Sequence, residues 1–247
     1  MNETLLYDQQ HNLLVLLKGI PQKFKLYKIP GATGYHVKVN DDGYMLFQHI
    51  QGKYFEIWIS NYLFNKTTTL HCQAKCEGVE FHNILEGSVL YQLNGRPWQH
   101  LKAGEHNVLY NPIIKSTAIF NETPLTTFDV HLTPANFKSL IEQQHVLENW
   151  LEYVNSGMEV SLYPASVPTP LSMQGLIVEM IEKCSHSLDI DGSADALLED
   201  YLKKATSGNM EKCRYRYSFE EIKTLLRLKE VISRSQFKAI ILADVHK

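Results

Sequence analysis

From residue 43 to residue 132 the chain alternates apolar and polar side chains in short runs, and at Thr133 that alternation stops. The runs are GYMLFQHI (43–50), YFEIWISNYLF (54–64), TTTLHCQAKC (67–76), VEFHNILEG (79–87), SVLYQLNG (88–95), HNVLYN (106–111), STAIF (116–120) and LTTFDVHL (125–132). Each is rich in aromatic and β-branched residues, and a period of two sends successive side chains to opposite faces of a strand. Asn94–Gly95, Ala103–Gly104 and the segment NETP (121–124) punctuate them as turns. Eight short strands within about ninety residues, with no helical period between them, point to an antiparallel sandwich or barrel.

Beyond Thr133 the period lengthens. Thr133 can cap a helix and Pro134 suits its first position, after which Phe137, Leu140, Ile141, Gln144, Glu148, Leu151 and Val154 share a mostly apolar face. A helix from Leu171 places Met173, Leu176, Ile177, Met180, Ile181 and Cys184 in one stripe. Another, opened by Ser193, does the same with Ala194, Leu197, Leu198, Tyr201, Leu202 and Ala205, ending near Gly208. Ser218 and Glu221 fit a capping box for a further helix striped by Phe219, Ile222, Leu225, Leu226 and Ile232. Such stripes pack helices on one another or on a sheet. The expected class is α+β: a β-barrel domain over 1–133, a helical region over 134–210, and a separate basic segment over 211–247.

Composition narrows the setting. Apolar content of 44% and charged content of 21% suit a soluble globular chain, and 247 residues suffice for a sizeable core. LLVLL (13–17) is too short for a membrane span or a signal peptide. Cys72, Cys76, Cys184 and Cys213 do not form a secreted disulfide framework, so a cytoplasmic protein without membrane contact is expected. The net charge of −3 is unevenly spread: residues 1–199 hold 13 Lys+Arg against 21 Asp+Glu, and residues 200–247 hold 11 against 6. A basic end on an acidic body hints at an anionic partner such as nucleic acid.

Catalytic signatures are scarce. The chain has no G-x-S-x-G, P-loop, G-x-G-x-x-G or H-E-x-x-H, and its 11 His are scattered singly. The region 67–121 resembles the cupins, small double-stranded β-barrels with two motifs. The first, G-x5-H-x-H-x3–4-E-x6-G, ends on positions matched by Glu80 and Gly87. Its two His positions fall on Gln73 or Ala74 and on Lys75 or Cys76. In the second motif, G-x5-P-x-G-x2-H-x3-N, Gly104 matches and Pro112 stands two residues late. Counting on from Pro112 puts Thr117 at the His position and Asn121 at the final Asn. A divalent metal needs three or four converging N, O or S donors, and the motif positions supply one Glu. Cys72 and Cys76, four apart on a strand, would lie about 13 Å from each other, too far to share an ion. The expectation is thus no metal, no cofactor, no catalytic residues and no enzymatic activity.

A pocket can still be sketched. If Glu80 points inward, so do His82 and Ile84. In LTTFDVHL the apolar set Phe128, Val130 and Leu132 should face a packed layer, which turns Thr127, Asp129 and His131 toward cavity or water. Tyr54, Glu56, Trp58 and Ser60 mix aromatic and polar groups, as ligand sites do. The candidate ligand-binding residues are Trp58, Glu80, His82, Thr117, Asp129 and His131.

A cupin barrel followed by this helical series also resembles the AraC/XylS-type transcription regulators, in the branch linked to siderophores or iron. EFHNILEGSVLYQLNG, YSFEEIKTLLRLKEVISR and FKAIILADVHK carry that likeness. It implies a barrel that senses a small-molecule effector, helices that make a homodimer, and a helix-turn-helix region beginning within 211–247. A helix-turn-helix reads bases with its second helix, and FKAIILADVHK would only open the first unit, so no DNA-binding residues are assigned. Lys212, Arg214, Arg216, Lys223, Arg227 and Lys229 could touch phosphates. The expected function is the sensing and dimerisation portion of such a regulator, ending before the reading helices. The rival is a stand-alone cupin isomerase or dioxygenase with an atypical metal site.

Overall fold

Alternation as regular as that of residues 43–132 can bury both faces of a sheet only if each face finds its own cover, and the computed structural model shows both covers. It describes residues 4–76, 78–144, 148–185, 190–207 and Thr224. In chain order the strands are β1 (Leu5–Tyr7), β2 (Leu13–Leu14), β3 (Leu17–Lys18), β4 (Thr33–Val39), β5 (Gly43–Gln51), β6 (Phe55–Phe64), β7 (Thr68–Lys75), β8 (Val79–Glu86), β9 (Ser88–Leu93) and β10 (Gln99–Lys102). There follow β11 (Glu105–Tyr110), β12 (Ile113–Phe120), β13 (Leu125–Leu132), helices α1 (Pro134–Gln144) and α2 (Glu148–Asn155), short strands β14 (Val160–Ser161) and β15 (Val167–Pro168), and helices α3 (Leu171–Ser185) and α4 (Asp191–Ser207).

The strands form two antiparallel sheets that face each other. One runs β10-β9-β12-β7-β1-β2; the other runs β14-β11-β8-β13-β6-β5-β4-β3, with β15 also on β11. Between them lies one apolar layer built from Val37, Val39, Met45, Phe64, Leu70, Ile84, Val89, Leu101, Phe120 and Leu125. The larger sheet's opposite face carries Phe55, Ile57, Ile59, Val79, Phe81, Val108, Phe128, Val130 and Leu132, which pack against Phe137, Ile141, Met173, Ile177, Leu197, Leu198 and Tyr201 of the helices. The helical stripes read from the sequence therefore meet a sheet as well as each other. The α+β class stands.

Some expectations shift. Strands β1 to β4 and β10, absent from the sequence reading, extend both sheets. The single helix expected from Thr133 corresponds to α1 and α2, and Thr133 does cap, its Oγ1 accepting from Asn136 N at 3.2 Å. Ser193 is not a cap: α4 begins at Asp191, and the Ser193 hydroxyl accepts from Lys183 Nζ at 2.7 Å and donates to Glu179 Oε1 at 3.0 Å. The helix expected from Ser218 and the segment 211–247 lie outside the described residues, Thr224 apart.

Two local features fix the site's frame. Gly87, between β8 and β9, has φ +78°, and a Cβ there would stand 2.1 Å from Pro124 O, so only glycine fits. Asn107 of β11 clamps the segment after α2: its side-chain amide donates to Tyr163 O at 3.0 Å and its Oδ1 accepts from Tyr163 N at 3.1 Å.

Candidate ligand-binding chamber

The interior face of the larger sheet is set by parity. Glu80, His82 and Ile84 on β8 point between the sheets, because Phe81 and Asn83 are taken by the helical face. On β13 the same logic turns Thr127, Asp129 and His131 inward behind Phe128 and Val130. Register then does what spacing along one strand could not. Asp129 pairs with His82 on one side and with Trp58 on the other, and His131 pairs with Glu80 and with Glu56.

The result is a polar group in an apolar enclosure. His82 Nδ1 lies 2.7 Å from Asp129 Oδ1 and 3.1 Å from Glu80 Oε1. Thr127 Oγ1 donates to Asp129 Oδ2 at 2.9 Å. Burial works against charge on His82, but the Asp129 carboxylate and the hydrogen bonds to Asp129 and Glu80 outweigh it and push the imidazole's pKa up from 6.5 to about 10. Burial likewise opposes ionisation of Glu80, and is outweighed by the His82 hydrogen bond and by the charge of His131 and His82, which bring its pKa down from 4.5 to about 2. The pairing thus favours the imidazolium form of His82 and the carboxylate form of Glu80.

Above it opens a chamber of about 350 Å³. Met45, Phe47, Leu70, Ile84, Val89, Leu101, Phe120 and Leu125 give most of its wall, with Glu80, His82, Tyr62, Tyr91, Asn107 and Gln99 as polar points. Tyr62 stacks on Phe120 at 4.8 Å and meets Phe47 edge-on at 6.1 Å. Burial raises the phenol pKa of both Tyr62 and Tyr91, so both keep a proton to donate. Burial also lifts the Cys72 thiol to about 11, which makes it a packed thiol rather than a thiolate. Volume and lining are those of a small-molecule site.

Of the six residues singled out from the sequence, Glu80 and His82 line the chamber, and Asp129 holds His82 from beneath. The other three do not line it. Trp58 is 9% exposed and is used up in a stack with His49 at 4.5 Å, its indole N–H reaching Glu56 Oε2 at 3.4 Å. His131 stands beside Glu80 without reaching the chamber wall. Thr117 is corrected by one position: Ser116 and Ala118 line the chamber, while Thr117 faces away and bonds His71 Nδ1 at 3.0 Å. Counting from a displaced proline selected the wrong face of β12. Tyr62 and Tyr91 escaped the sequence reading, although Tyr62 shares the parity of Trp58 and Ser60 and could have been found by it.

The shortage of donors is also corrected. Glu80, His82 and Asp129 offer ligand atoms that all lie within 4.8 Å of one another. Motif positions alone gave one donor; the fold adds two from outside the motif. A nitrogen with carboxylate oxygens suits a borderline divalent ion. To accept one, His82 Nδ1 would have to give up the proton it shares with the carboxylates.

No protein-family model matches the chain, and no curated protein does. Solved structures of cupin superfamily proteins are its neighbours in fold. One from Desulfitobacterium hafniense DCB-2 is 13% identical, over 39% of this chain and 83% of that one, with TM-score 0.30. The DMSP lyase DddQ from Ruegeria pomeroyi DSS-3 is 12% identical over 33% of this chain and 39% of that one, TM-score 0.28. An HTH_3 family transcriptional regulator from Vibrio cholerae is 14% identical over 36% of this chain and 51% of that one, TM-score 0.29. At these values the barrel is defined by its own strand order and register. The expectation of a protein without enzymatic activity is withdrawn, because its ground, a barrel short of donors, does not hold once Glu80, His82 and Asp129 converge. Among the described residues no helix is long and apolar enough to cross a membrane.

Proposed function

We propose that the barrel binds a small molecule in this chamber, and that the chain is the sensing and dimerisation portion of an AraC/XylS-type transcription regulator of the cytoplasm. The observation that carries the reading is a chamber of about 350 Å³ with a polar floor on β8 and β13, the strands whose other face seats the helices. Tyr201 of α4 donates its hydroxyl to Asn83, the residue after His82. Asn83 in turn donates to Phe128 O at 3.0 Å, next to Asp129. An occupant that engages Glu80 or His82 thus acts on the strands that hold α4, and α3 with α4 is the pair proposed to make a homodimer.

The test is a thermal-shift screen of small molecules against the purified chain, repeated on His82→Gln and Asp129→Asn. Hits whose shifts vanish in both variants support the reading; hits unchanged in both defeat it. Light scattering that finds only monomer at high concentration removes the dimerisation part. A second reading, a metal-assisted cupin-type enzyme, is favoured by the convergence of Glu80, His82 and Asp129 within 4.8 Å. Elemental analysis of protein purified without chelator decides it, one equivalent of Mn, Fe, Ni or Zn per chain being the supporting result.

A further inference from the structure

The chamber's charge pattern says what kind of molecule belongs in it. Glu80 is the carboxylate that lines it, and its side chain keeps 24% exposure, which is exposure to that enclosure. Both oxygens of Asp129 are engaged, Oδ1 by His82 at 2.7 Å and Oδ2 by Thr127 at 2.9 Å. Glu80 is bonded through Oε1 alone, and among the described residues no protein group holds its other oxygen. One imidazole therefore serves two carboxylates, and the Glu80 oxygen that it leaves open faces the enclosure. Among the described residues no Lys or Arg lines the chamber, and His131, which pairs with Glu80 across β8 and β13, stands behind the wall rather than on it. His71, which does line the chamber, is turned toward its neutral form by burial and by His11, against a smaller pull from Asp8. Screening is weak in such an enclosure, so an entering charge feels Glu80 strongly. Aromatic faces of Phe47, Tyr62 and Phe120 suit a cation as well as a hydrocarbon.

We infer that the chamber takes an organic cation, an apolar body carrying an ammonium that rests on the open oxygen of Glu80. The inference deepens the reading of the chamber as a ligand site and depends on it. An organic anion would meet the Glu80 carboxylate with no Lys or Arg among the described lining residues to hold it, and a neutral alcohol would gain only an ordinary hydrogen bond, roughly half as strong as a charge-assisted one.

Three probes of matched shape separate these cases in calorimetric titrations of the full chain: cyclohexylmethylamine, cyclohexylmethanol and cyclohexanecarboxylate. The expected order is amine about tenfold or more tighter than alcohol, a difference of about 1.4 kcal/mol, with no binding of the carboxylate. In Glu80→Gln the amine should fall to the alcohol's affinity while the alcohol is unmoved. The order in the unaltered protein decides the matter even if that variant fails to fold. Alcohol binding with no advantage for the amine, or carboxylate binding as tight as the amine, overturns the cation inference and leaves the chamber reading standing. Failure of all three to bind overturns both. A stoichiometric divalent ion that Glu80→Gln releases also overturns the inference, since the open oxygen would then belong to the metal.

Discussion

Strands β8 and β13 present two faces made from the same sixteen residues, and the two behave oppositely. Toward the helices they show Val79, Phe81, Phe128, Val130 and Leu132, none more than 1% exposed, in contact with large side chains from the helices. Toward the other sheet they show Glu80, His82, Thr127 and Asp129, bonded to one another beside open volume. The helix-facing side is filled by dispersion and hydrophobic burial, which tolerate no gap. The chamber side gives up that burial and holds three ionisable groups together through mutual bonds. Stability is concentrated on one face and recognition on the other.

That contrast can be broken most severely from the packed side. Phe81→Ala removes a ring that lies 5.0 Å from Tyr201 and 6.3 Å from Phe137, and should cost about 3–5 kcal/mol in urea unfolding. His82→Leu leaves two carboxylates facing each other and should cost about 2–3 kcal/mol, less than a fully dry ion pair because water in the chamber can reach them. Replacing Glu80, His82 and Asp129 together by Met, Leu and Leu should recover most of that loss, since no charge is then stranded. If the triple variant is as unstable as His82→Leu, the ionic group contributes net stability and the contrast is wrong. Tyr201→Phe tests the hydroxyl joining α4 to β8 and should cost about 1–2 kcal/mol, by leaving the Asn83 carbonyl unpaired in the core.

The last test is in pH. The folded pKa of His82 is raised, so its contribution is whole below 6.5 and is lost as pH rises toward about 10. The folded pKa of Glu80 is lowered, so its contribution is whole above 4.5 and is lost as pH falls toward about 2. The stability difference between the unaltered chain and the triple variant should therefore peak between pH 4.5 and 6.5 and decline on both sides, as unfolding curves across pH would show.

Much of this was legible in the sequence because it is local. The alternation in VEFHNILEG and LTTFDVHL placed Glu80, His82, Thr127 and Asp129 on the correct faces, and the helical stripes named Met173, Ile177, Leu197 and Tyr201 as packed residues. What stayed hidden is non-local. That Asp129 stands opposite His82 depends on a pairing register between strands 47 positions apart, which no single strand encodes. That Trp58 packs on His49 depends on the same kind of pairing, with β5. Thr117 was misplaced by an alignment slip of one residue, which in a strand exchanges inside for outside. Strands β1 to β3, two or three residues each, are too short for any period to register.

Those very short strands also bear on how the protein behaves in a crowded solution. The larger sheet ends in β3 and in β14, each of two residues, with β15 of two residues also against β11; the smaller ends in β2, of two, and β10, of four. One of the outer residues, Pro168, has no amide hydrogen to offer. A foreign strand looking for a ladder to join finds only two to four rungs on each of these outer strands, which discourages unwanted fibre growth there.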